Sequence, residues 1–293
     1  MVEHVAEFDH ELLAAPGAET ARRYLDHAAA IRERRQRIVD GRASAWGTIL
    51  QAVFVAGFIA IFSAAMKQGT ALTAFQTLMV PLLLMGQILD GIIARGERPS
   101  KAKPKRRLVR VGSIVLFPVM LFLFLWLIFN GSALPGAWNM LPAAFVFLSM
   151  GGSGVRKLVR ASSGPPPFSP PRAALTPGIG WATVAVGIVL GIATALGAVR
   201  DENIRSAILS GLLLMLVVWF SAPASAVALR LIGASWRWPH ICVCAASVGL
   251  VFVLQIPTPD GASFAPPVYL VSGAAIAVSL WAASRVEGRD LDA

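Results

Sequence analysis

Few side chains in this sequence could do chemistry. Asp90 is the clearest, because it lies near one end of an apolar run, in the string Asp90-Gly91-Ile92-Ile93-Ala94-Arg95. An ionisable group is expensive within a membrane and is a binding candidate by default. Its carboxylate could hold a cation, or it could pair with Arg95 or another basic residue at the interface. Ser153 lies in Gly151-Gly152-Ser153-Gly154. A serine nucleophile needs a base within hydrogen-bond reach. The histidines are His4, His10, His27 and His240, and only His240 lies near an apolar run. Cys242 and Cys244 are two positions apart. On a helix they would point about 200° apart, so we expect two buried small hydrophobes and neither a disulfide nor a metal pair. The chain carries no H-E-x-x-H, Walker, dinucleotide or zinc spacing. We therefore assign no catalytic residue, metal ligand or cofactor from the sequence.

Two short strings resemble catalytic motifs. The D-G-x-x-A-R string at Asp90, Gly91, Ala94 and Arg95 is similar to the core of the CDP-alcohol phosphatidyltransferase motif, D-x-x-D-G-x-x-A-R-x8-G-x3-D-x3-D. The resemblance implies a lipid-modifying enzyme in which four aspartates bind divalent metal. Here the first aspartate position is Gln87, and the later glycine and aspartates fall on Pro104, Leu108 and Gly112. One carboxylate cannot supply a two-metal clamp, because a hard cation needs several oxygen ligands. The Gly152-Ser153-Gly154 string is similar to the serine motif of rhomboid proteases. Ser153 is followed at once by Arg156, Lys157 and Arg160. That predicts a cytoplasmic helix exit, the opposite side from the family's serine.

The elements that carry these residues are membrane spans. Of the 293 residues, 56% are hydrophobic and 14% charged, against about 25% charged in average soluble domains. Eight runs are long and apolar enough to cross about 30 Å of hydrocarbon: 46–66, 75–94, 110–130, 136–152, 178–199, 204–222, 238–256 and 266–284. The fourth is short and contains Pro142. The expected fold is an all-α polytopic membrane protein. We divide it into an N-terminal arm (1–45), a first four-span half (46–152), a Pro-rich linker (153–177), a second four-span half (178–284) and a tail (285–293).

Orientation follows from the basic residues. Of the 26 Lys and Arg, 23 lie on one side of this topology and 3 on the other, a strong positive-inside signal. Both termini are expected in the cytoplasm, which an even span count requires. Trp46, Trp181, Trp219, Trp236, Trp238 and Trp281 fall near the inner span ends, as an aromatic belt would. The first twenty residues are acidic and lack the basic region of a cleavable signal. Helical rather than barrel spans, with Gly/Ala/Arg-rich usage, point to a bacterial inner membrane.

Three further patterns bear on function. The arm reads as an amphipathic helix from about Thr20 to Arg42, with Arg22, Arg23, Arg32, Arg34 and Arg37 on its polar side. It is expected to lie on the anionic bilayer or dock a partner, or else to be a solvated helix that enforces topology. The 95–110 loop adds Lys101, Lys103, Lys105, Arg106 and Arg107, a surface for lipid or a cytoplasmic ATPase or other subunit. A net charge of +10 would suggest nucleic acid in a soluble chain. Placed between apolar runs it is a topology signal, so no nucleic acid is expected. The halves also suggest a parallel repeat. Trp46 and Trp181 open spans one and five, and Leu82-Leu83-Leu84-Met85 in span two matches Leu212-Leu213-Leu214-Met215 in span six. Small-residue ridges at Gly187, Gly191 and Ala195, and at Gly273 and Ala277, predict close helix contacts.

The layout resembles that of ABC-2-type permeases, which usually have six spans. It implies a non-catalytic membrane subunit of a transport system energised by a partner. The alternatives are a stand-alone scaffold, accessory or immunity-type factor acting through the basic face, and a lipid enzyme descended from the Asp90 motif.

Overall fold

The computed structural model describes residues 19–20, 22–27, 41–94, 140–162, 172–221, 228–256 and 264–289. The expected third span, the 95–110 loop with Arg95, Lys101, Lys103, Lys105, Arg106 and Arg107, and arm residues Arg32, Arg34 and Arg37 lie outside them. The helices are α1 (Gly41–Lys67), α2 (Ala71–Ala94), α3 (Leu141–Val146), α4 (Gly152–Ser162), α5 (Pro177–Ala195), α6 (Glu202–Phe220), α7 (Leu229–Ser235), α8 (Trp238–Leu254) and α9 (Pro266–Ala283). A π-helical turn, Phe147–Gly151, joins α3 to α4. Two short strands, β1 (Arg172–Ala173) and β2 (Gly288–Arg289), pair antiparallel.

Five described helices are long and apolar enough to cross a membrane: α1, α2, α5 with its following turn, α6 and α9. Helix α8 is apolar and shorter. The protein is thus an all-α, apolar-helix protein of membrane type. Its elements coincide with six expected spans. The fourth differs: Pro142 sits in the first turn of α3, where its missing N–H costs nothing. The helical path then continues through the π turn to Ser162, past the expected end of that span at 152. Helix α1 begins at Gly41, so the expected boundary between arm and first span falls inside a helix.

Helix α1 stops because Gly69 takes a φ of 73°, a backbone that costs any other residue about 1–2 kcal/mol. The Thr70 N–H donates to the Ala65 carbonyl and the Gly69 N–H to that of Met66, which closes a Schellman motif and sends α2 back along α1. Helix α2 is the hub. It packs on α1, α5, α6, α7 and α8, and Leu78, Val80, Leu84, Met85, Ile88, Leu89 and Ile92 are fully buried. A helix apolar all round belongs in such a centre. Pro81 sits within it and leaves the Thr77 carbonyl without its usual donor.

Helices α5 and α9 meet along the two glycine ridges. A Cβ on Gly191 would come 2.7 Å from the Gly273 carbonyl, and one on Gly187 2.8 Å from the Leu280 Cβ. The ridges are therefore internal contacts that let the backbones touch. Helix α6 is peripheral: only Leu209 and Leu216 along it are buried. Leu84 and Met85 are core residues, whereas Leu214 and Met215 are exposed. The matching Leu-Leu-Leu-Met runs thus occupy unlike environments.

The contacts define two ends. At one end Gly41 approaches Ala161, Lys157 Nζ donates to Thr48 Oγ1 at 3.2 Å, Asp90 meets Arg230, and β1 pairs with β2. This is the basic end, with Arg42, Arg156, Lys157, Arg160, Arg172, Arg230, Arg237, Arg285 and Arg289. The opposite end holds Lys67, Arg200 and Arg205.

Candidate functional site

The sequence-predicted site at Asp90 is built by a short helix in the connection between the expected spans 204–222 and 238–256. Within 223–237, the run Leu229–Ser235 forms α7, which crosses the last turns of α2. Two glycines make the crossing. A Cβ on Gly91 would fall inside the van der Waals shell of the Arg230 carbonyl, and one on Gly233 inside that of Ile88. Each helix thus gives up a side chain so that the other's backbone can seat. With the backbones in contact, the residues beside the glycines must meet. Arg230 Nε lies 3.1 Å from Asp90 Oδ2.

The pair is half-exposed, with side chains 62% and 54% accessible. Exposed pairs contribute about 0–1 kcal/mol. The pair therefore marks the register of the crossing more than it stabilises it. Asp90→Asn is expected to shift thermal unfolding in mild detergent by less than the equivalent of about 1 kcal/mol. Arg230 is the partner that the sequence reading left open beside Arg95. Nothing local signals it, since the two residues lie 140 positions apart.

A buried aromatic and polar link flanks this crossing. Trp236 is fully buried, which corrects its expected place in an aromatic belt. Its indole Nε1 donates to Thr183 Oγ1 at 3.1 Å, and Thr183 donates to the Ile179 carbonyl at 2.9 Å. The link ties the α7–α8 corner to α5. His240 stacks on Trp236 with ring centroids 6.0 Å apart, and its Nδ1 accepts from the Arg237 N–H at 3.3 Å. That bond closes the start of α8. His240 is thus a cap and packing residue. Trp46, Trp181, Trp238 and Trp281 remain exposed at the basic end, and Trp46 meets Trp238 edge to face.

The other candidates separate. Ser153 is exposed, and its hydroxyl donates to the Met150 carbonyl at 2.7 Å. Gly154 seats α4 against Ile49 and the Ala45 carbonyl of α1, so the glycine-rich string belongs to a packed helix. Cys244 is buried, with its Sγ 3.8 Å from Met85 Sδ, but Cys242 is exposed, which corrects the expectation of two buried thiols. Arg22 and Arg23 lie on an exposed helical stretch, and Arg23 pairs with Glu19 at 2.7 Å. Among the described residues no three His, Cys, Asp or Glu side chains gather as a metal site. Gln76 bridges α2 to α6: its Oε1 accepts from Ser206 at 2.9 Å and its Nε2 donates to Ser210 at 3.3 Å. The chain matches no protein-family model, no curated protein and no solved structure.

Proposed function

We propose that this protein is a non-catalytic membrane subunit of a transport system energised by a partner at its basic, cytoplasmic end. The observation that carries the reading is the seating of α7 on α2 through Gly91 and Gly233. Helix α7 is short, lies at the basic end, and rests directly on the hub of the bundle. A partner that displaced α7 would move α2, and α2 touches five other described helices. Packed interfaces shift between discrete arrangements and do not deform smoothly. The same reading keeps eight spans, both termini in the cytoplasm of a bacterium, and the arm and 95–110 loop as further contacts for anionic lipid or the partner.

A second reading is a stand-alone scaffold, accessory or immunity-type factor working through the basic face. It is favoured by the sparse polarity within the described spans, where Gln76, Ser206 and Ser210 satisfy one another. The lipid-enzyme reading is the remote alternative. Of the motif positions, Asp90 is engaged by Arg230 and Gly91 is filled by its carbonyl.

Purification of the full-length protein from its native membrane in mild detergent, followed by mass spectrometry, tests the proposal. A stoichiometric nucleotide-hydrolysing subunit is the expected result. A partner-free protein under conditions that retain other native complexes would overturn the transport reading in favour of the stand-alone factor.

A further inference from the structure

At the end opposite the basic face, a cavity of about 400 Å³ opens where α5, α6, α8 and α9 converge. Ligand pockets commonly run from about 300 Å³ upward. Its polar lining is Thr77, Arg200, Glu202, Arg205, Gln255 and Tyr269. Tyr269 is buried, held by the close approach of Gly197 to its ring and by its hydroxyl, which donates to the Leu254 carbonyl at 3.4 Å. The wall is therefore built, not loose.

Among the described residues that line this cavity the charges do not balance. Arg200 and Arg205 bring two positive charges and Glu202 one negative. The Arg205 side chain is 20% accessible, and its Nε is buried with no hydrogen-bond partner. Its Nη2 reaches Glu202 Oε1 only at 3.4 Å, and Glu202 is 76% accessible. The neighbouring Asp201 does not line the cavity; its Oδ1 accepts from the Asn203 and Ile204 N–H groups that open α6. A largely enclosed guanidinium with one unmet N–H and only a long contact to an exposed carboxylate is costly until an anion meets it. Its planar set of donors matches two oxygens of one oxyanion. Phe264, Ala265 and Pro266 supply an apolar wall beside it.

We propose that this cavity is a phosphate-binding site, in which the accessible part of the Arg205 guanidinium grips the anion and Arg200 adds the second charge. The phosphate belongs either to a lipid headgroup, with the acyl chains running along the apolar wall, or to a small free phosphate. In both cases the recognising chemistry is the same.

The test uses full-length protein and two probes. The first is inorganic phosphate, titrated against chloride at matched ionic strength and read as a shift in thermal unfolding midpoint. The second is phosphatidylglycerol in otherwise phosphatidylcholine nanodiscs, read by native mass spectrometry as retained lipid. We expect saturable binding of at least one probe. Binding should weaken at least tenfold in Arg205→Gln and stay unchanged in Arg285→Gln, at the basic end. A response to inorganic phosphate identifies a free-phosphate site, and retention of lipid alone identifies a headgroup site. Arg205→Gln removes an uncompensated charge, so it should unfold no earlier than wild type when phosphate is absent. Arg200→Gln provides a second variant, with a smaller loss, should the first not fold. Absence of binding by both probes, or undiminished binding in both variants, would overturn the proposal.

Discussion

Gly91→Ala is expected to destabilise the protein although alanine is the better helix former. Propensity alone would favour the change by about 1 kcal/mol. The new methyl, however, would collide with the Arg230 carbonyl, and a backbone atom cannot swing aside as a side chain can. Overpacking of this kind costs about 1–3 kcal/mol, so the net change should be a loss of up to about 2 kcal/mol by these two figures. Gly233→Ala should behave alike, because it meets the Ile88 carbonyl across the same crossing. Gly86 lies in the same helix with nothing within 4 Å of its Cβ position. Gly86→Ala should therefore be neutral or stabilising. Thermal unfolding in one detergent checks all three. Equal effects at Gly91 and Gly86 would show that the crossing does not exist as described. The double variant should fall short of the sum of the singles, because both act on one interface.

Trp236→Ala should cost more. Truncating a large, fully buried aromatic typically loses about 3–5 kcal/mol, and Trp236 is wholly enclosed where α7, α8 and α5 meet. Trp236→Phe retains most of the volume but loses the bond to Thr183. A hydrogen bond of this type contributes about 1 kcal/mol. The exposed Trp181, 75% accessible, is the control, and Trp181→Ala should change unfolding in detergent little. A small effect of Trp236→Ala would mean that the tryptophan lies at the lipid interface after all.

These two sites show where sequence reading succeeds and where it stops. The apolar runs at 46–66, 75–94, 178–199, 204–222, 238–256 and 266–284 mark helices because a membrane span is a local property of about 20 residues. The glycine ridges of α5 and α9 were legible for a similar reason, since small residues at helical spacing already describe a face. Helix α7 was not legible. Seven residues are too few to display a helical period, and what holds them is Gly91, far away in the chain. Trp236 failed for the complementary reason. Its position near a span end is a one-dimensional fact, whereas its burial depends on the neighbouring α5. The Leu-Leu-Leu-Met runs carry the same lesson, since identical side chains serve as core in α2 and surface in α6. Asp90 was found because a carboxylate beside an apolar run is conspicuous. Its partner was hidden, because Arg230 is one basic residue among many.

We propose that the partner meets α7 at the basic end. A photocrosslinking residue placed at Leu231, which is 40% accessible on α7, tests it in the native cell. Leu214, exposed on the outer side of α6, is the comparison position. We expect a protein adduct from Leu231 that contains a nucleotide-hydrolysing subunit, and none from Leu214. Adducts to lipid or to the chain itself at both positions would contradict it.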